Sequence, residues 1–335
     1  MLIYVGSYTP EVDGKGTGIS VWDAQLAPAA PTSALAAPSW LVAHPVAPVL
    51  YAVSELADGA VNALSVGADG ALHPVSRQPS GGSDPCHLAV TADGRHLLCA
   101  NYGNGTAAVF ALDSDGTLGA RTDLVTRHGS GPDPSRQEGP HAHQVTVTED
   151  EVIAVDLGTD TIYGYRLGAG GRLNPTWQAH AGPGVGPRHL VSAPDGRRYV
   201  ADELSSTVSV YEPQADGGLR LVYRRPATLT EPAERNQPSE IALSPDGRYV
   251  YVANRGNDTV ATFAVDGDEL RGVDETPTGG RWPRHFTLDG DLMYVANQYS
   301  DAVTVLRVDP DTGVPRATGA RIDVPSPACV LIRRD

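Results

Sequence analysis

Short apolar runs alternate with glycine-rich turns along this chain, and one apolar run keeps returning. Its seven versions are Ile3-Tyr-Val-Gly-Ser-Tyr8, Leu50-Tyr-Ala-Val-Ser-Glu55, Leu97-Leu-Cys-Ala-Asn-Tyr102, Val152-Ile-Ala-Val-Asp-Leu157, Arg198-Tyr-Val-Ala-Asp-Glu203, Val250-Tyr-Val-Ala-Asn-Arg255 and Met293-Tyr-Val-Ala-Asn-Gln298. Their last residues are 47, 47, 55, 46, 52 and 43 positions apart, and the interval through the C-terminus back to Tyr8 is 45. Seven units with a period near 48 therefore use all 335 residues. That period suits a four-stranded propeller blade.

The pattern inside a unit agrees. A first strand such as Cys86–Val90 is followed by an Asp-Gly turn (Asp93-Gly94, Asp195-Gly196, Asp246-Gly247), whose residues tolerate the positive φ of a two-residue hairpin. The recurring run is the second strand. A third follows (Thr207–Tyr211, Thr259–Phe263), then a turn such as Asp115-Gly116 or Asp216-Gly-Gly218, and then a fourth. No stretch of useful length has helical periodicity. The piece Ala328-Cys-Val-Leu-Ile332 reads as a first strand and the N-terminal run as a second, so both ends build one blade and the ring closes without open edges. The expectation is an all-β, seven-bladed β-propeller of four-stranded antiparallel blades, a single domain over 1–335. Ala27–Pro38 is expected to be a loose surface loop.

Composition narrows the function classes. Apolar residues make up 41% and charged residues 19%, enough for a packed core. A net charge of −15 excludes the basic footprint of a nucleic-acid binder. Three cysteines without a CxxC pair argue against a disulfide framework or a zinc site. No run approaches the roughly 18 apolar residues of a membrane helix. The N-terminal run lacks a basic segment and a long apolar core, so a cytoplasmic location is expected.

Strand order locates the functional face. In an antiparallel blade the first strand begins where the second ends, and the long connections Tyr8–Gly18, Leu124–His141, Gln178–Arg188 and Arg225–Ser239 open there. Counting back from the second strands places Trp40, His87, His143, Arg188, Glu240, Arg284 and Ala328 at first-strand starts. Glu55, Tyr102, Leu157, Glu203, Arg255 and Gln298 mark second-strand ends, with Tyr8 from the closing blade. Three arginines, two histidines and three glutamates thus surround one opening. An arginine cluster in an acidic protein points to an anionic ligand. Arg95, Arg197 and Arg248 follow Asp-Gly turns and are read as turn residues. His141 and His143 are two apart and would share a side of an extended strand, so a metal pair is conceivable, but His143 is favoured as the functional one. Asp156, Asp202, Asn101, Asn254 and Asn297 form a second ring, read as binding turn backbones more than Ca²⁺.

The segments Pro140-His-Ala-His143, Gly186-Pro-Arg-His189, Ala201-Asp-Glu203, Ala253-Asn-Arg255 and Pro283-Arg-His285, with the opening Ile3-Tyr-Val-Gly-Ser-Tyr-Thr9, resemble the lactonase-type seven-bladed propellers. That family includes propeller-type 6-phosphogluconolactonases and the fungal carboxymuconate cycloisomerase. The resemblance implies catalytic roles for His143, Arg188, Glu203 and Arg255, without a metal or other cofactor. Hydrolysis of a lactone needs an activated water and a stabilised oxyanion. His143 or Glu203 would be the base, and Arg188 and Arg255 would hold the oxyanion or a substrate anion. Arg284 and His285 are candidates for a distal phosphate, and His87, Glu55, Gln298 and Tyr8 complete the expected binding set. The expected partner is a small anionic lactone, with no nucleic acid or membrane, for a monomer or weak homodimer. The leading reading is hydrolysis of a sugar-acid lactone such as 6-phosphogluconolactone. Lactonising cycloisomerisation or another pathway-specific lactonase, a Ca²⁺-dependent propeller hydrolase and a non-catalytic binding propeller are the alternatives. No Gly-x-Ser-x-Gly elbow is present.

Overall fold

Each recurring Tyr-Val-Ala run is a strand buried on both faces, and that requirement generates the architecture. Val49–Ser54 is buried at every position, because its blade packs against a neighbour on each side. Strands sandwiched in this way read as continuous apolar runs instead of alternating ones. The computed structural model describes residues 1–148, 151–232 and 235–334. Among these, 28 strands form seven four-stranded antiparallel sheets arranged as the blades of a propeller. The core lies between blades. Val49, Tyr51 and Val53 of one blade, for example, pack on Leu88, Leu97, Cys99 and Phe110 of the next. Outer strands such as Leu72–Pro79 are largely exposed.

The tyrosine of the repeat joins neighbouring blades. Tyr51 is fully buried, and its hydroxyl donates to the carbonyl of Gly116, in an outer turn of the following blade, at 2.7 Å. Tyr251 does the same to Gly313 at 2.9 Å and Tyr4 to Gly70 at 3.2 Å. A buried phenol needs such a partner.

Ring closure follows the expectation. Leu2–Ser7 pairs with Pro327–Arg333, with Tyr4 opposite Leu331 and Gly6 opposite Cys329. Two details differ. Ala27–Pro38 is not a loose loop: Pro28–Ser33 is the outer strand of the closing blade, paired with Ile19–Asp23. Its small and proline residues are tolerated because an edge strand needs only one set of ladder bonds.

The second difference sets the site. In six of the seven inner strands the pairing slips by one residue at the start. In five of these strands the extra residue, or the start of the slip, follows a proline: Pro85-Cys86, Pro187-Arg188, Pro238-Ser239, Pro283-Arg284 and Pro327-Ala328. A bulge re-aims side chains, so two successive residues of one strand can face the axis. The first-strand starts are therefore two layers, not one ring. Ser39, Cys86, His143, Arg188, Arg284 and Ala328 form the upper layer. Trp40, His87, His189, Glu240 and His285 lie one residue further down the channel.

Candidate active site

The upper layer is organised around one buried carboxylate. Glu203 follows the second strand Arg198–Asp202 of its blade and is 2% exposed. Its Oε2 accepts from Arg255 Nη2 at 2.6 Å and lies 3.2 Å from Arg188 Nε. Its Oε1 accepts from Arg136 Nη2 at 2.5 Å. Burial opposes ionisation of this carboxyl, but the charges of Arg255, Arg188 and Arg136 outweigh it and hold it well below the usual carboxylate range.

Backbone carbonyls fix two of the three arginines. Arg188 Nη1 donates to Ser239 O at 2.6 Å. Arg255 donates through Nε to Gln237 O at 3.1 Å and through Nη2 to Pro238 O at 3.2 Å. Burial and the charge of Arg255 bring Arg188 down to about 9, which leaves it a cation at neutral pH.

His143 stands beside this cluster. It is buried, with Tyr102 presenting an edge at 5.6 Å between ring centroids and His189 another at 5.0 Å. Burial, then the charge of Arg188, hold its pKa well below that of a free imidazole, so the ring is neutral at pH 7. Cys86 lies alongside, its thiol donating to His143 O at 3.3 Å; burial pushes that thiol well above its ordinary pKa, so it does not supply a thiolate.

Across the opening, Tyr8 donates to Glu55 Oε2 at 2.8 Å, and the Arg284 guanidinium lies over the Tyr8 ring at 4.9 Å and 3.8 Å from Glu55 Oε1. Glu55, Arg284, Cys86, Arg188 and His143 share a narrow cavity of about 10 Å³. A larger cleft of about 410 Å³ on the opposite face is lined by hairpin-turn residues such as Asp93 and Arg95. Those two are mostly solvent-exposed and carry no buried ionisable cluster.

The lower layer floors the cavity. Trp40 packs on His87 at 4.0 Å and meets His189 and His285 edge-on at 5.5 and 5.0 Å. His189 Nδ1 is 3.1 Å from Glu240 Oε2, and His285 Nε2 is 3.7 Å from the same oxygen. Burial pushes Glu240 up to about 8 and His285 down to about 3. His87 and His189 are likewise held well below the ordinary value by burial. At neutral pH the floor is therefore uncharged imidazoles and one protonated carboxyl. His285 Nδ1 accepts from Val330 N at 3.2 Å, which ties that ring to the closing blade.

The remaining expected residues are less central. Gln298 opens a short 3-10 turn on the same face, and its Oε1 is buried without a hydrogen-bond partner among the described residues. His141 and His143 both pack on Tyr102, His141 stacked at 4.6 Å with Nδ1 2.9 Å from Tyr102 O and His143 edge-on at 5.6 Å. The ring of Asp and Asn residues binds backbone and hydroxyl groups. Asp156 Oδ1 takes His141 N and Thr159 N, and Asn254 Nδ2 donates to Ala227 O. No cluster with metal-ligand geometry occurs among the described residues.

Sequence reasoning missed Arg136. It lies in the long connection before His143, not on a strand, so the repeat does not mark it. Gln137 beside it is fully buried, donating to Leu157 O and Asp160 Oδ1 at 2.8 Å each, and ties the loop to the end of the second strand of the next blade. The only available signal was a basic residue in the longest connection on the functional face.

Comparison with known proteins places this geometry. A family model described as lactonase, seven-bladed β-propeller, matches residues 2–332. The 6-phosphogluconolactonase of Bacillus subtilis (strain 168) is 33% identical, covering 98% of this chain and 97% of that protein. Among solved structures, a protein from Lactobacillus plantarum superposes with a TM-score of 0.90 at 31% identity, covering 98% of both chains. The periplasmic gluconolactonase of Pseudomonas aeruginosa superposes with a TM-score of 0.89 at 29% identity, covering 99% of both.

Proposed function

The chain belongs to the lactonase family of seven-bladed β-propellers, and from that premise we propose that it hydrolyses a phosphorylated sugar-acid lactone, 6-phosphogluconolactone, to 6-phosphogluconate. One observation carries the reading. In a protein of net charge −15, four arginines converge on one opening beside a neutral imidazole. Such a site attracts an anion and supplies a proton acceptor.

In this mechanism His143 accepts a proton from water as the water oxygen attacks the lactone carbonyl. Arg188 and Arg255 stabilise the developing oxyanion. Nη2 of Arg188 and Nη1 of Arg255 make no hydrogen bond to described residues and are available for it. Collapse of the tetrahedral intermediate breaks the bond to the ring oxygen, which takes the proton back from His143. Glu203 is not assigned the first step, because both of its carboxylate oxygens are engaged by guanidinium groups. Its role is to set the positions of Arg188 and Arg255. Arg284, with Tyr8 and Glu55, borders the substrate on the other side. No helix among the described residues is long and apolar enough to cross a membrane. A cytoplasmic setting accords with a phosphorylated substrate and three free cysteines.

Mixing the purified protein with freshly prepared 6-phosphogluconolactone and following acid release tests the reading. Acid release well above the spontaneous rate is expected. A rate equal to spontaneous hydrolysis would end it.

A further inference from the structure

The three arginines on Glu203 are not equivalent, and the difference points to how the site chooses its substrate. Arg188 and Arg255 have side chains 3% and 5% exposed and are anchored to the carbonyls of Ser239, Gln237 and Pro238. Arg136 has a side chain 26% exposed. Among the described residues its guanidinium contacts only Glu203 Oε1, at 2.5 Å, and the Tyr102 hydroxyl, at 3.3 Å. Glu203 would keep two cations if Arg136 turned away. Arg136 can therefore exchange its carboxylate for another anion with the charge of Glu203 still paired through Oε2, while Oε1 gives up its one hydrogen bond. Its backbone is held for this: Gly131 N donates to Gln137 O and Gln137 N to Asp133 O, at 2.9 and 2.7 Å.

The charge balance fits a dianion. Four guanidinium groups (Arg136, Arg188, Arg255 and Arg284) face two carboxylates (Glu55 and Glu203), an excess of two positive charges at the opening. An uncharged lactone does not use that excess, whereas a phosphate monoester does, and a planar guanidinium with free N–H groups suits its oxygens.

We propose that Arg136 is the specificity-determining residue that receives the phosphate of the substrate, exchanging Glu203 Oε1 for phosphate oxygens as the lactone enters. The inference rests on the reading of the site as a sugar-acid lactonase. It goes further in assigning the preference for a phosphorylated lactone to one loop residue.

The test compares wild type, Arg136→Gln and Arg136→Lys on 6-phosphogluconolactone and on unphosphorylated gluconolactone. Titrations with the stable products 6-phosphogluconate and gluconate add a readout independent of turnover. Arg136→Gln should lose about a hundredfold in kcat/KM on the phosphorylated lactone, mostly through KM, and a clearly smaller factor on gluconolactone. Arg136→Lys should recover part of the loss, and the affinity for 6-phosphogluconate should fall in parallel. Equal losses on both lactones, or no loss on the phosphorylated one, would overturn the assignment while leaving the lactonase reading intact. A wild type inactive on both lactones would overturn the two together.

Discussion

His143 works as a neutral ring at the edge of a cationic cluster. Burial and Arg188 keep it unprotonated through the neutral range, so its capacity to accept a proton does not fade near the ordinary histidine pKa. Two outcomes follow. Histidine 143 replaced by glutamine (His143→Gln) should lower kcat on the lactone about 10²- to 10⁴-fold with little change in KM, measured by initial rates of acid release. The wild-type kcat, which reports the bound complex and not the ionisation of the free phosphate ester, should stay level from pH 7.5 down to 6, with no inflection near 6.5, in a pH-rate series corrected for spontaneous hydrolysis. Glu203 invites a separate test, because its charge offsets three guanidinium groups. Glu203→Gln should lower kcat as Arg188 and Arg255 lose their alignment, while 6-phosphogluconate binds at least as tightly as before. Rates and calorimetry on the same preparation check both halves. Weaker product binding together with full kcat would contradict the positioning role.

At the scale of the strand, the Tyr-Val-Ala repeat has two uses: its aliphatic positions fill the space between blades, and its tyrosine ties one blade to the next. Tyr51→Phe removes the hydroxyl and leaves the Gly116 carbonyl without that donor. It should cost about 1–2 kcal/mol of unfolding free energy, read from chemical denaturation, with activity retained. The blades, the Asp-Gly turns and the split closing blade were legible in the sequence because each depends on local patterning or on the period. The depth of each inner residue was not. Counting 14 or 15 positions back from the second strands placed Trp40, His87 and Glu240 level with His143, Arg188 and Arg284. The bulges separate them into two layers. The prolines at 85, 187, 238, 283 and 327 mark where the upper layer begins, and aligning on them would have recovered the register. Arg136 had no such mark, since connections between blades vary freely in length. The composition of Ala27–Pro38 is poor for a strand and predicts a loop; pairing of Pro28–Ser33 with Ile19–Asp23 overrides propensity there.

For the whole ring, the channel makes stability depend on pH. His87, His143, His189 and His285 are buried with pKa values held below that of an unfolded histidine. As pH falls past about 6.5 the unfolded chain takes up protons that the folded chain refuses, so stability is lost on acidification. Glu240, pushed up to about 8, acts in the opposite sense. The folded state keeps its proton where the unfolded chain releases it, so its contribution declines as pH rises from about 4.3 towards 8. Asp202, which burial raises to about 6, acts in the same sense as Glu240, and the four histidines outweigh the two carboxyls, so stability falls between pH 7 and 5.5. Thermal unfolding at the two pH values should show a lower Tm at 5.5, and His285→Gln should narrow the difference.

We propose that the arginine-ringed opening, with His143 beside it, is where a lactone is hydrolysed. The direct measurement is a time course of acid release from 6-phosphogluconolactone with wild-type protein and with His143→Gln, each confirmed as folded by its thermal transition. Rapid release is expected with the wild type and a rate near the spontaneous one with the variant. Equal acceleration by both proteins would contradict it.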